Sequence, residues 1–272
     1  MASAQVTGTT AQRTRARATA GSHGRARDWA EIQERMLVPL YQAVYQRLEV
    51  GPATSLLGLG CRSGLALLLA AERGAQVAGV EPEPELRELA QGRGLQVAAA
   101  AGAPRSAYGV PRAAHSLVTV FEQLPYSTRP GELVAEAAGL ALRGGQVVLA
   151  TWGPPERCES APVLDVARRR AARPPADGPF ALSGPGALEE LLLAAGLRPA
   201  GSGRVGCPFA YVDLDSAVRG MLSTGLYETA IEDAGQALVG KELEEALHPY
   251  VQADGSVRMV NVFRYVVAEQ PR

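Results

Sequence analysis

Apolar and polar positions along this chain follow two alternating rhythms. Short apolar runs at 56–57, 76–80, 95–100, 116–121 and 146–152 have the continuous character of strands buried on both faces. Between and after them, 65–72, 82–91, 131–142, 161–172 and 187–196 carry helix-forming sequence. A leading helix is predicted from Asp28 to about Arg47, with Asp28 and Glu31 spaced as a capping box and a stripe of Ile32, Met36, Leu37, Leu40, Tyr41, Val44 and Leu48. Five strand–helix units in alternation predict an α/β fold, a doubly wound and mostly parallel sheet with right-handed crossovers. A sixth strand at 203–209 and an antiparallel seventh at 257–267 complete seven. The helical stretch 214–249 stands between them, where a hairpin would suffice. Residues 1–27 show no apolar period and no acid, so they read as a solvated tail ahead of a domain over 28–272, with a lid insert at about 211–255.

Composition narrows this picture. With 272 residues, 47% of them apolar, the chain has material for one large domain and its core. A net charge of −1 gives no electrostatic case for nucleic acid or an anionic membrane as partner. No apolar run reaches the length of a membrane span. Cys61, Cys158 and Cys207 lie far apart, which argues against a metal site or a disulfide framework and fits a reducing cytoplasm. Basic residues are almost all arginine, Lys241 being the one lysine, a signature of GC-rich coding and of a bacterial source. Oligomeric state stays open, a homodimer included.

The chemistry concentrates at Ser55–Gly64. Leu56 and Leu57 run into Gly58, Gly60 and Gly64, and a helix-forming segment follows. Glycines in such a strand–turn–helix allow positive φ and close approach of a ligand to backbone. The helix start offers free N–H groups and a positive dipole end to an anionic group. The next strand ends in Glu81, a carboxylate able to accept both hydroxyls of a ribose lying across the turn. Together these predict a cofactor that contains a nucleoside. The spacing Gly58-x-Gly60-x-x-x-Gly64 differs from the dinucleotide fingerprint, which has two residues between its second and third glycines.

That stretch resembles motif I of the class I S-adenosylmethionine-dependent methyltransferases, usually acidic-x-Gly-x-Gly-x-Gly. Gly60 and Gly64 match; Gly58 stands at the acidic position and Arg62 at the middle glycine. Leu142-Arg143-Gly144-Gly145, followed by a strand and Thr151-Trp152-Gly153, resembles the family's motif III region. Two further departures are Ala101-Gly102-Ala103-Pro104, where an acid near the adenine amine is usual, and His115-Ser116, where Phe-Asp is common. The resemblance implies S-adenosylmethionine as cofactor, held by Gly58, Gly60, Arg62, Gly64, Glu81, Phe121 and Gln123. It also implies methyl transfer to O, N or C of a small-molecule acceptor, in the manner of bacterial natural-product enzymes with a helical lid. The loop after the fourth strand, Gln123-Leu124-Pro125-Tyr126, is similar to the Asn-Pro-Pro-Tyr loop of amino-methylating relatives. Glu122, in that loop, and His248, at the end of the insert, are the candidate catalytic bases. Other readings are a fold of this type that does not methylate, such as a cyclase or a noncatalytic regulator, and a nicotinamide-dependent oxidoreductase.

Overall fold

The computed structural model describes residues 23–99, 115–172 and 178–272. Seven strands form the main sheet: β1 (Ser55–Leu59), β2 (Gln76–Val80), β3 (Val97–Ala98), β4 (His115–Val120), β5 (Ala141–Trp152), β6 (Arg198–Gly206) and β9 (Val262–Glu269). Their order is β3-β2-β1-β4-β5-β9-β6, with β9 antiparallel to both neighbours and the pairs from β3 to β5 parallel. The predicted doubly wound sheet is therefore present, with β9 as its reversed strand. Helices α1 (Val38–Arg47), α2 (Leu65–Ala71), α3 (Pro84–Gly92), α4 (Pro130–Leu140), α5 (Ala161–Arg170) and α6 (Ala187–Ala194) accompany it. On one face α4 and α6 cover Leu57, Val118, Val120 and Leu149. On the other, α1, α2, α5 and the insert bury Leu56, Leu117, Val148 and Trp152.

The leading helix begins earlier than predicted and is less regular. Residues 23–28 are already helical, so order starts inside the stretch assigned to the tail; 1–22 lie outside the described residues. Asp28 does not cap anything: its backbone is helical and its carboxylate pairs with Arg219. A π-type turn (Trp29–Gln33) and a 3₁₀ turn (Glu34–Leu37) precede α1. Pro39 accounts for the irregularity, because it lacks an N–H and its ring crowds the turn before it. The wide turn leaves Trp29, Ile32 and Gln33 all buried.

The predicted seventh strand divides in two. Phe209–Tyr211 (β7) pairs with Val257–Met259 (β8) in a separate two-stranded ladder, and the chain then changes sheets at Val260 and Asn261. Buried Asn261 fixes that bend, accepting from Ser160 N–H at 3.1 Å on its side chain and from Cys207 N–H at 2.8 Å on its backbone. The insert rises from this ladder as α7 (Leu214–Ser223), α8 (Glu228–Ala234) and α9 (Gln236–Leu247). Asp213 caps α7 through Ser216 N–H at 2.7 Å.

Glu34 joins the leading segment to the sheet. Its carboxylate is 1% exposed and accepts from Ser63 Oγ at 2.6 Å, Leu65 N–H at 2.9 Å and Arg93 Nη1 at 2.9 Å. Replacing it with alanine strands a buried hydroxyl and a helix N-terminal N–H, at a cost of about 2–3 kcal/mol. Glu34→Ala is expected to lower the denaturant midpoint with an unchanged m-value. A midpoint equal to wild type would assign the link no energetic weight.

Candidate functional site

The site lies outside the carboxyl ends of β1, β2 and β4, where open α/β sheets bind ligands. β1 leads into the turn, in which Gly60 (φ +63°) and Gly64 (φ +88°) take left-handed backbone. A β-carbon on Gly60 would stand 2.5 Å from the Gln123 side chain, and one on Gly64 would stand 2.3 Å from Leu95. Gly58 serves a different need. Its backbone is ordinary, and a β-carbon there would press on Leu67 and Cys61 at 3.1 and 3.2 Å. The acid expected of motif I would fit here only if Leu67 and Cys61 gave way by a few tenths of an ångström. Arg62, at the middle-glycine position, keeps the left-handed backbone (φ +51°), a strain of about 1–2 kcal/mol for a residue with a side chain.

Glu81 is buried at the end of β2. Its two oxygens accept one backbone N–H each, from Arg62 at 2.8 Å and from Glu83 at 2.9 Å. Burial raises its pKa, and the Arg62 charge and these N–H bonds oppose the rise. A carboxylate has about four acceptor positions, so two remain after the turn has been fixed. Glu81 lines an open cavity of about 560 Å³ together with Gly60, Arg62, Glu83, Gln123 and Tyr126, a volume in the range of ligand pockets. Ala101–Pro104, the stretch expected beside an adenine, falls outside the described residues.

One sequence expectation is corrected here. The N-terminus of α2 is not wholly free for an anionic ligand group: its first N–H, of Leu65, already donates to Glu34. Glu34 was not recognised as part of the site because its partners lie 29 to 59 residues away.

Beyond the turn, Phe121 and Glu122 follow directly on β4. Phe121 packs against Tyr41 and Tyr45 at ring-centroid distances of 5.2 and 6.0 Å. Tyr41 donates its hydroxyl proton to Glu122 Oε1, and Glu122 Oε2 has no partner although the residue is 4% exposed. Burial, reinforced by the negative Glu34, pushes the Glu122 pKa up to about 8; the Tyr41 bond and Arg62 pull the other way. Glu122 lines two small cavities. One, of about 10 Å³, lies under the turn between Gly58, Gly60 and Ala66. The other, of about 20 Å³, is walled by Trp29, Phe121, Tyr126, Trp152, Phe209 and Phe263.

The insert contributes Thr224, just past α7, to the wall of that aromatic cavity. Arg62 ties the insert to the leading segment and to β2. Its guanidinium lies 5.0 Å from the centre of the Trp29 ring, 3.2 Å from Glu83 Oε2 and 3.4 Å from the Thr224 carbonyl. Arg25 adds a second tie, pairing with Glu83 and with Glu228 of α8. Thus Gly58, Gly60, Arg62, Glu81, Phe121, Glu122 and Gln123 converge, with Gly64 at the foot of α2. His248 is not brought to them: it is exposed, in a 3₁₀ turn after α9, and lines neither the open cavity nor the two small ones. Tyr211 and Tyr227 of the insert are buried and bonded to Gln33 and to the Val163 carbonyl, which gives them packing roles.

Arg62→Gly keeps the backbone of the turn and removes the latch. Amide hydrogen exchange over 214–234 is expected to accelerate severalfold, with global stability changed by less than about 1 kcal/mol as strain relief offsets lost contacts. Unaltered exchange there would show that Arg62 does not hold the insert.

Comparison with known proteins places this geometry. Residues 57–149 match a family model described as a methyltransferase domain. No curated protein matches. A putative methyltransferase from Bacillus halodurans superposes with a TM-score of 0.54 at 14% identity, over 85% of this chain and 99% of that one. The [4+2]-cyclase SpnF gives 0.51 at 17% identity, over 85% and 80%. A putative sarcosine dimethylglycine methyltransferase from Galdieria sulphuraria gives 0.51 at 11%, over 85% and 84%. At these identities the likeness is one of fold. Residues 57–149 thus match a methyltransferase domain, and the sheet, with β9 reversed between β5 and β6, has the Rossmann-like fold of these solved structures.

Proposed function

We propose that this enzyme transfers a methyl group from S-adenosylmethionine to O, N or C of a small, largely apolar acceptor. The observation that carries the reading is Glu81: a buried carboxylate with two acceptor positions to spare, on the wall of a 560 Å³ cavity across the glycine turn. The ribose hydroxyls of the cofactor suit those positions, and Gly60 lets the nucleoside approach the backbone. When bound, the cofactor supplies a methyl group already activated on a sulfonium. What remains for the chain is to align the acceptor and exclude water. Phe121, Tyr126, Trp152, Phe209 and Phe263 suit an apolar acceptor body, and the insert closes over it. At about 20 Å³ this cavity holds little more than one water, so acceptor entry requires the insert to move away from Trp29 and Arg62. The lid and the arginine-for-lysine composition support a role in bacterial secondary metabolism. The free buried thiols support a reducing compartment.

A second reading has one observation in its favour: motif I lacks its acid at Gly58 and one glycine at Arg62, so the fold could guide a cyclisation instead. Methyl-labelled S-adenosylmethionine incubated with a panel of apolar amines and phenols separates the two. Label in a product supports transfer, whereas tight cofactor binding with no label in any product supports the cyclase.

Glu81→Ala removes a charge-assisted pair of hydrogen bonds to the ribose. S-adenosylhomocysteine affinity is expected to fall roughly ten- to a hundredfold by calorimetry. Equal affinity in the variant would remove Glu81 from the cofactor site.

A further inference from the structure

The chain lacks the motif I acid, and Leu67 and Cys61 crowd the position of Gly58, where a β-carbon would stand 3.1 and 3.2 Å from them. The strand next to β1 supplies a carboxylate nearby. β4 pairs with β1 in parallel, with Thr119 opposite Gly58, and Glu122 follows three residues on. Gly58, Gly60 and Glu122 line the same small cavity. Gly60 also lines the open 560 Å³ cavity, so the two spaces meet at the turn. The side chain of Gln123 packs over Gly60 on the open-cavity side.

Each neighbouring charge already has its answer. Glu34, from the leading segment, has Arg93, Ser63 and Leu65; Glu81, from β2, has two backbone N–H groups; Arg62, from the turn, has Glu83. Tyr41 and Tyr45 of α1 face the same spot as neutral phenols, their pKa values raised by burial. Glu122 alone in this group keeps a buried oxygen with no partner. A ligand cation completes that arrangement; an anion would face the carboxylates of Glu34, Glu81 and Glu122.

We infer that Glu122 is the counter-ion for the methionine ammonium of the cofactor, in place of the acid missing at Gly58, and that Gln123 swings aside to admit it. This rests on the reading that S-adenosylmethionine binds with its ribose on Glu81. It moves Glu122 from acceptor base to cofactor binding. Because burial holds the free carboxyl largely neutral at pH 7, binding of a cation there expels its proton.

The test is titration calorimetry of the full chain with S-adenosylhomocysteine and with 5′-methylthioadenosine, which has the same nucleoside but no ammonium. In wild type, S-adenosylhomocysteine affinity should rise up to about tenfold per pH unit below pH 8 and level off above it. Enthalpies in buffers of different ionisation heat should report release of about one proton at pH 7. Methylthioadenosine should show neither effect. Glu122→Gln should weaken S-adenosylhomocysteine roughly ten- to a hundredfold, abolish its proton release and leave methylthioadenosine unchanged. A homocysteine ligand that binds without proton release, or with the same affinity in Glu122→Gln, overturns the assignment while leaving the cofactor reading intact. Failure of both ligands to bind wild type overturns the cofactor reading and this inference with it. If the variant does not fold, the wild-type proton release alone decides.

Discussion

The buried Glu34 carboxylate is the constraint on which the rest of the site depends. It comes from a segment far from the sheet in sequence, yet it satisfies the hydroxyl and the N–H at the start of α2 and anchors Arg93 after α3. Through it the glycine turn, two helices and the leading segment share one position. Trp29, Gln33 and Tyr41 reach the site because the segment that carries them is held there. A buried charge with this many partners is stabilising only while all of them are present, so the N-terminal cover and the cofactor turn fold as one structure.

Much of the sheet was legible in the sequence, because a strand buried on both faces leaves an uninterrupted apolar run and a parallel neighbour requires a helix between. The turn at Gly60 and Gly64 was legible because only glycine takes that backbone without strain. Arg62 was not, since nothing in a side chain announces that its own φ is positive. Glu34 was hidden for another reason. On a helical wheel it is one more polar residue, and its role arises from groups 29 and more residues away. The break of the leading helix could have been read from Pro39, whose missing N–H interrupts any regular helix at that point. The split of 257–267 into β8 and β9 depends on the buried amide of Asn261, a tertiary contact with no local signal.

The site also shows how burial assigns different tasks to residues of one chemical type. Glu34, Glu81 and Glu122 are all nearly inaccessible. Glu81 receives two backbone donors and fixes the turn; Glu34 receives a guanidinium and fixes a helix; Glu122 receives only a phenol. The number of donors each finds orders them by the capacity left for a ligand: least on Glu34, two acceptor positions on Glu81, and a whole unpartnered oxygen on Glu122.

The short ladder of β7 and β8 has a consequence for how such an enzyme changes over time. By pairing Phe209 with Met259 and Tyr211 with Val257, it brings the two ends of the insert side by side before any lid helix begins. The entropy of closing that excursion grows only with the logarithm of its length, so helices can be lengthened, shortened or exchanged at little cost to the sheet. The stem thus separates two inheritances: the strands and their turn can stay constant while the roof over the acceptor is rewritten.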